Sequence, residues 1–176
     1  MADGSRQGWE AVQNGYVTES SVNPETYYNG AQYGIVACPV DIEIYNNGQI
    51  VGRVTNNVVD NLVTSLDIWV QDTVKYIIFP DDDEYEISFT ATDEGSMTYF
   101  LQDLNGSDNA KAITDITLTD GKTMTSSIGG DIETEDVKLY VVNSDGLPLT
   151  EVQEDGIEVP MQYNVSFDNN GHGAAP

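Results

Sequence analysis

From Cys38 to Asp103 the apolar residues fall on every second position, run after run, and helical spacing is scarce. A strand sends successive side chains to opposite faces, so this period marks half-buried antiparallel strands. Val40, Ile42 and Ile44 alternate with Asp41, Glu43 and Tyr45. Asn47-Gly48 follows, the dipeptide that best tolerates the positive φ angles of a tight hairpin, and Gln49 to Val54 resumes the extended pattern. Leu66, Ile68 and Val70 then alternate with Asp67, Trp69 and Gln71. The run from Val74 to Phe79 is apolar on both faces, as expected of a central strand covered on each side, and Pro80 ends it. The sharpest alternation sets Tyr85, Ile87, Phe89 and Ala91 against Glu86, Ser88 and Thr90. Its partner run carries Met97, Tyr99 and Leu101 inward beside Ser96, Thr98 and Gln102. Thr55 to Thr64 reads as a loop, because asparagines precede and interrupt Val58, Val59, Leu62 and Val63.

These patterns predict an all-β chain built as an antiparallel β-sandwich, immunoglobulin-like or jelly-roll-like. The expected division is an N-terminal segment over 1–37 with one strand, a core sandwich over 38–109, further strands over 110–168, and a tail or linker over 169–176. The strands of 110–168 either complete the sandwich or form a second small β unit. A length of 176 residues suits one large or two small domains and buries a sizeable core without disulfides or metals.

Six Lys and Arg stand against 30 Asp and Glu, a formal net charge of -24. That sign repels nucleic-acid phosphates and anionic lipid, whose binding rests on cations that neutralise phosphate and release counterions. Nucleic-acid partners are therefore not expected, nor is insertion into a membrane. One cysteine cannot form an internal disulfide, and Cys38 beside Pro39 reads as a buried structural thiol. The opening MADGSRQGWE lacks a basic region followed by an apolar run, so no signal peptide is expected there. No apolar run is long enough to cross a bilayer as a helix.

The string CPVDIEIYNNGQIVGRV, followed by VKYIIFPDDDEYEISFTATDEGSMTYFLQDL, resembles β-sandwich accessory modules found towards the C-terminal ends of bacterial and archaeal secreted or surface proteins. Those modules share a PVD strand ending on Tyr, a hairpin with Gly, an apolar strand, an extended strand of the Y-x-I kind and a closing strand after Gly. The resemblance covers about the middle third of the chain and consists of structural positions. It implies a non-catalytic module of an extracellular or cell-surface protein, serving as spacer, adhesive or interaction unit, with a protein or glycan partner at a surface. A carbohydrate-binding module is the alternative, and an accessory domain of an extracellular hydrolase comes third.

Candidate chemistry is sparse. Asp81, Asp82, Asp83 and Glu84 supply clustered oxygen ligands of the kind Ca²⁺ requires, which makes calcium the one cofactor the sequence suggests. A solvated acidic turn that blunts sheet pairing is the competing explanation. The stretch from Asp103 begins like an EF-hand loop, but its glycine is misplaced and Thr114 stands where the bidentate glutamate belongs. His172, the single histidine, lies in the Gly-rich tail, so triads that need histidine and zinc sites built from several His or Cys are not supported. No catalytic residue is assigned, and no enzyme activity is expected. Trp69 faces away from Leu66, Ile68 and Val70, where an outward aromatic can stack on a sugar ring or anchor a partner. Coverage by a second layer, such as the segment with Trp9, Tyr27 and Tyr28, is the structural alternative. Lys75 shares the side of Ile77 and Phe79, so its amine must reach solvent, find a partner or react with a nearby asparagine to form an amide with loss of ammonia.

Overall fold

The computed structural model describes residues 31–63, 66–80, 83–104, 109–130 and 132–162. Its strands are, in chain order, β1 (Gln32–Ala37), β2 (Val40–Asn46), β3 (Gln49–Thr55), β4 (Val58–Asn61), β5 (Asp67–Gln71), β6 (Val74–Phe79) and β7 (Glu84–Ala91). They continue with β8 (Gly95–Asp103), β9 (Ala110–Leu118), β10 (Thr123–Gly129), β11 (Leu139–Val142), β12 (Pro148–Val152) and β13 (Glu158–Pro160). All pairings are antiparallel.

Two sheets result. One has five strands in the order β5-β6-β1-β8-β9, and the other has eight in the order β13-β12-β11-β10-β7-β2-β3-β4. The predicted alternation becomes burial: Tyr85, Ile87, Phe89 and Ala91 of β7 and Met97, Tyr99 and Leu101 of β8 are all buried. Because β7 and β8 belong to different sheets, their apolar faces meet as the two halves of one core. Phe89 packs against Tyr99 with ring centroids 5.2 Å apart at 65°, and Phe79 of β6 reaches Tyr85 at 5.6 Å. Each large side chain buried in this way contributes about 1.5–3 kcal/mol relative to exposure. The all-β sandwich expected from the alternation is the fold.

The strands after 109 lie in the same two sheets, since β9 pairs with β8 and β10 pairs with β7. The segment Thr55 to Thr64 departs from the expected loop, because β4 runs through it and pairs with β3. Asn56 and Asn57 adopt φ of +50° and +61°, which is what a two-residue hairpin demands and what asparagine tolerates. Both sides of the sandwich are laced shut. Asn61 Nδ2 donates to the Leu66 carbonyl at 2.7 Å on one side. On the other, the β12–β13 turn seats on a bulge in β9, where Thr114 N–H donates to the Glu154 carbonyl at 2.9 Å. Gly156 is required in that turn: its φ is +77°, and a Cβ there would lie 2.6 Å from the carbonyl oxygens of Thr114 and Asp115.

Candidate functional site

The outer face of the five-stranded sheet holds the one aromatic ligand candidate. Register sets Trp69 opposite Tyr76 and Tyr76 opposite Ile35, two positions along β1 from Tyr33. The three rings stack, Trp69 on Tyr76 at 5.2 Å and 6°, Tyr33 on Tyr76 at 6.3 Å and 16°, and Tyr33 on Trp69 at 6.1 Å and 21°. Near-parallel rings with centres about 5 Å apart must overlap, because side by side in one plane they would violate the carbon contact distance of about 3.5–4.0 Å. The Trp69 and Tyr76 faces are thus partly used by each other, whereas a flat sugar platform would need them bare. Ile35, Ile78 and Phe100 extend the same apolar surface, and all six side chains are half-buried. The alternation around Trp69 signals its outward direction, but Tyr33 and Tyr76 join it only through strand register.

The acidic turn from Asp81 to Glu84 is described only in part. Asp83 and Glu84 are exposed, whereas Asp81 and Asp82 lie outside the described residues. Among the described residues no three His, Cys, Asp or Glu side chains are grouped to hold a metal ion.

Lys75 is the most unusual buried group. It stands on the core face of β6, in register with Val36, at 1% exposure. Its ammonium donates to the carbonyls of Cys38 at 2.9 Å and Thr73 at 3.1 Å. The amine therefore finds a partner in backbone oxygen. Burial pushes its pKa down, a shift opposed by Cys38 and by Asp41. The Cys38 thiol is pushed up to about 12, chiefly by burial and against the pull of Lys75, so it is protonated at neutral pH. A small cavity of about 130 Å³ adjoins the pair and is bordered by Asp41, Asn56, Asn57 and Thr92.

A second buried polar cluster ties β1 to the chain after β10. Gln32 Nε2 donates to Thr134 Oγ1 at 2.9 Å and to the Ile132 carbonyl at 3.1 Å, with Asp103 Oδ1 at 3.4 Å. Gln32 Oε1 accepts the Gly129 N–H at 2.9 Å, and the Thr134 hydroxyl donates to Asp103. Buried polar atoms satisfied so fully specify packing. The sequence offers no signal for the cluster, because its members lie in three distant segments.

The far end of the eight-stranded sheet exposes an apolar ribbon. Leu149 of β12 and Val159 of β13 are 50% and 46% exposed, and the adjoining turns add Leu147 at 60% and Ile157 at 59%. Register puts Glu151 opposite Val159 and so sets Leu149 and Val159 on the face away from buried Val152. Among the described strands β13 is the last of the sheet, and its Pro160 is a residue that suits edge positions. A groove of about 420 Å³ lies beside the ribbon, lined by Lys111, Ile113, Lys138, Glu151 and Glu154 among others. Comparison with protein-family models, with curated proteins and with solved structures finds no match to this chain.

Proposed function

We propose that this chain is a non-catalytic β-sandwich module of an extracellular or cell-surface protein, and that it acts as an adhesive or interaction unit through the β12–β13 ribbon. The observation that carries this reading is the exposure of Leu147, Leu149, Ile157 and Val159 on the last two described strands of the eight-stranded sheet and their turns, in a chain with a net charge of -24. Apolar surface exposed in this way is unfavourable in water and is stabilised when a partner covers it. The extracellular setting rests on the resemblance of the stretch from Cys38 to Asp103 to surface-protein modules.

Immobilised chain, tested against a panel of purified extracellular proteins and cell-wall polysaccharides, should bind one class, and Leu149→Asp/Val159→Asp should weaken that binding at least tenfold (about 1.4 kcal/mol) with the melting temperature unchanged. Binding indifferent to the two substitutions, or no binding to any panel member, would refute the reading. Carbohydrate binding at Trp69 is the second reading, supported by the outward direction of its ring on β5, opposite in face to buried Ile68. Polysaccharide binding lost in Trp69→Ala and kept in the ribbon variant would favour it.

A further inference from the structure

Among the described residues Lys75 is the one cation buried in the core, and none of the described carboxylates comes within ion-pair distance of it. A lone buried charge costs stability, and such groups gather where the chemistry of the amine is used. The cavity of about 130 Å³ beside Lys75 has a floor and a mouth. Cys38, Val40 and Lys75 are buried at its floor, whereas Asn56, Asn57, Thr73 and Thr92 on its border are exposed and open it to solvent. The nitrogen itself is held in one orientation. Of its four tetrahedral positions one is the bond to Cε, and the carbonyls of Cys38 at 2.9 Å and Thr73 at 3.1 Å take two more. A neutral amine that donates to both carbonyls keeps its lone pair in the fourth. Both carbonyls belong to residues that line the cavity. Burial favours that neutral form, opposed by Cys38 and Asp41, the two titratable groups that act on the amine. Asp41 borders the same cavity, and its Oδ1 accepts the Asn56 N–H at 2.8 Å.

We propose that Lys75 is a covalent capture site for a small neutral aldehyde, which enters past Asn56, Asn57, Thr73 and Thr92 and forms an imine with the buried amine. Asp41 takes one proton from the ammonium and frees the lone pair, which attacks the carbonyl carbon. The π pair of the carbonyl moves to oxygen, and this oxygen takes a second proton from the nitrogen. Asp41 then returns its proton, the oxygen leaves as water and the C=N bond forms. Ammonium and aldehyde thus give an iminium and one water, with no change of charge and no oxidant or reductant consumed. Charge selects a neutral ligand, because Asp41 and a net charge of -24 both disfavour an anionic keto acid. Volume selects a short one: at about 30 Å³ for each water-sized group, the cavity has room for roughly four non-hydrogen atoms. The capture is stoichiometric and uses none of the β12–β13 ribbon residues, so its test stands apart from that of the interaction role.

The full chain, treated at neutral pH with glycolaldehyde and cyanoborohydride, fixes each imine as a secondary amine that peptide mass spectrometry can map. Native Lys75 should be labelled several-fold faster than the exposed Lys138, and the preference should vanish in urea. Benzaldehyde, too large for the cavity, should show no preference for Lys75. Asp41→Asn keeps an oxygen for the Asn56 N–H and should slow labelling of Lys75 several-fold while leaving Lys138 unchanged. Labelling of Lys75 no faster than Lys138, a preference that persists in urea or with benzaldehyde, or a rate indifferent to Asp41→Asn would each overturn the proposal. So would an intact native mass lower than the sequence mass by one ammonia with the loss mapped to Lys75, since the amine would then already be consumed.

Discussion

Replacing Lys75 by methionine should stabilise this protein, although it removes two hydrogen bonds. The ammonium is enclosed between strands with 1% of the residue exposed, and no carboxylate among the described residues comes within ion-pair distance. Holding a charge there costs several kcal/mol of hydration, offset only in part by the carbonyls of Cys38 and Thr73. Methionine keeps the length of the chain and the contacts of the buried stem. The Cys38 carbonyl still accepts the Val40 N–H at 3.1 Å, and the exposed Thr73 can turn to water. The loss is then about 1–2 kcal/mol against a relieved penalty that exceeds it by about 1–2 kcal/mol. For a domain of this size that net gain corresponds to a melting temperature higher by roughly 2–8 °C. The sign of the pH dependence follows from the depressed pKa. Below the folded-state pKa both states hold the proton and the penalty is complete. As pH rises through that value towards the unfolded value near 10.4, the unfolded state binds more protons, so native stability increases. Calorimetric melts from neutral to alkaline pH should therefore show the advantage of Lys75→Met shrinking. A variant that melts lower at pH 7, or a gap that does not change with pH, would refute the reasoning.

Matched glycines test the seat of the β12–β13 turn. Gly146→Ala should lose about 1–2 kcal/mol for its left-handed φ alone, whereas Gly156→Ala should lose about 3 kcal/mol or more because its Cβ meets two carbonyls. Equal losses in urea titrations would mean that the turn does not rest on β9. Cys38 should resist thiol reagents at neutral pH except at the rate of unfolding, since it is 7% exposed and its pKa stands at about 12. Rapid stoichiometric labelling of native protein would contradict that environment. Gln32→Leu leaves the Gly129 N–H, the Ile132 carbonyl and the Thr134 hydroxyl short of a partner, and should cost about 3 kcal/mol at about 1–3 kcal/mol per orphaned group. A thermal melt unchanged by the substitution would show that the cluster does not pin β1.

The core was legible because β7 and β8 obey a period of two without interruption, and burial repeats it residue for residue. The hairpin at Asn47-Gly48 was legible for the same kind of local reason: φ values of +50° and +74° suit those two residues. Strand β4 was not, since Val58 and Val59 are adjacent and the turn before them is Asn-Asn without a glycine. Strand β12 was also hidden: Asp-Gly pairs at Asp145 and Asp155 flank it, but its own residues, Pro148 to Val152, show no clear alternation. Those two turns are built alike, each closed by hydrogen bonds from Asn143 to Leu147 and from Gln153 to Ile157. Site information was poorer. Trp69 could be aimed outward by alternation, but its stacking with Tyr33 and Tyr76 depends on which strands become neighbours, a property of register and not of local pattern. The Gln32, Asp103 and Thr134 cluster needs three remote segments at once, and no spacing rule announces it.

The central claim is that period-two alternation divides core from surface in one two-sheet sandwich, and paired aspartates on β7 test it most directly. Ile87 is fully buried between Ile44 and Ser126, while its neighbour Ser88 points outward between Glu43 and Thr125. Thermal unfolding followed by circular dichroism should find Ile87→Asp unfolded at room temperature, because a buried unpaired carboxylate removes more stability than the roughly 5–15 kcal/mol a domain possesses or comes close to it. Ser88→Asp should stay folded and lose up to about 1 kcal/mol through repulsion with Glu43 across the strand pair. Equal melting temperatures for the two variants, or a folded Ile87→Asp beside an unfolded Ser88→Asp, would contradict the account.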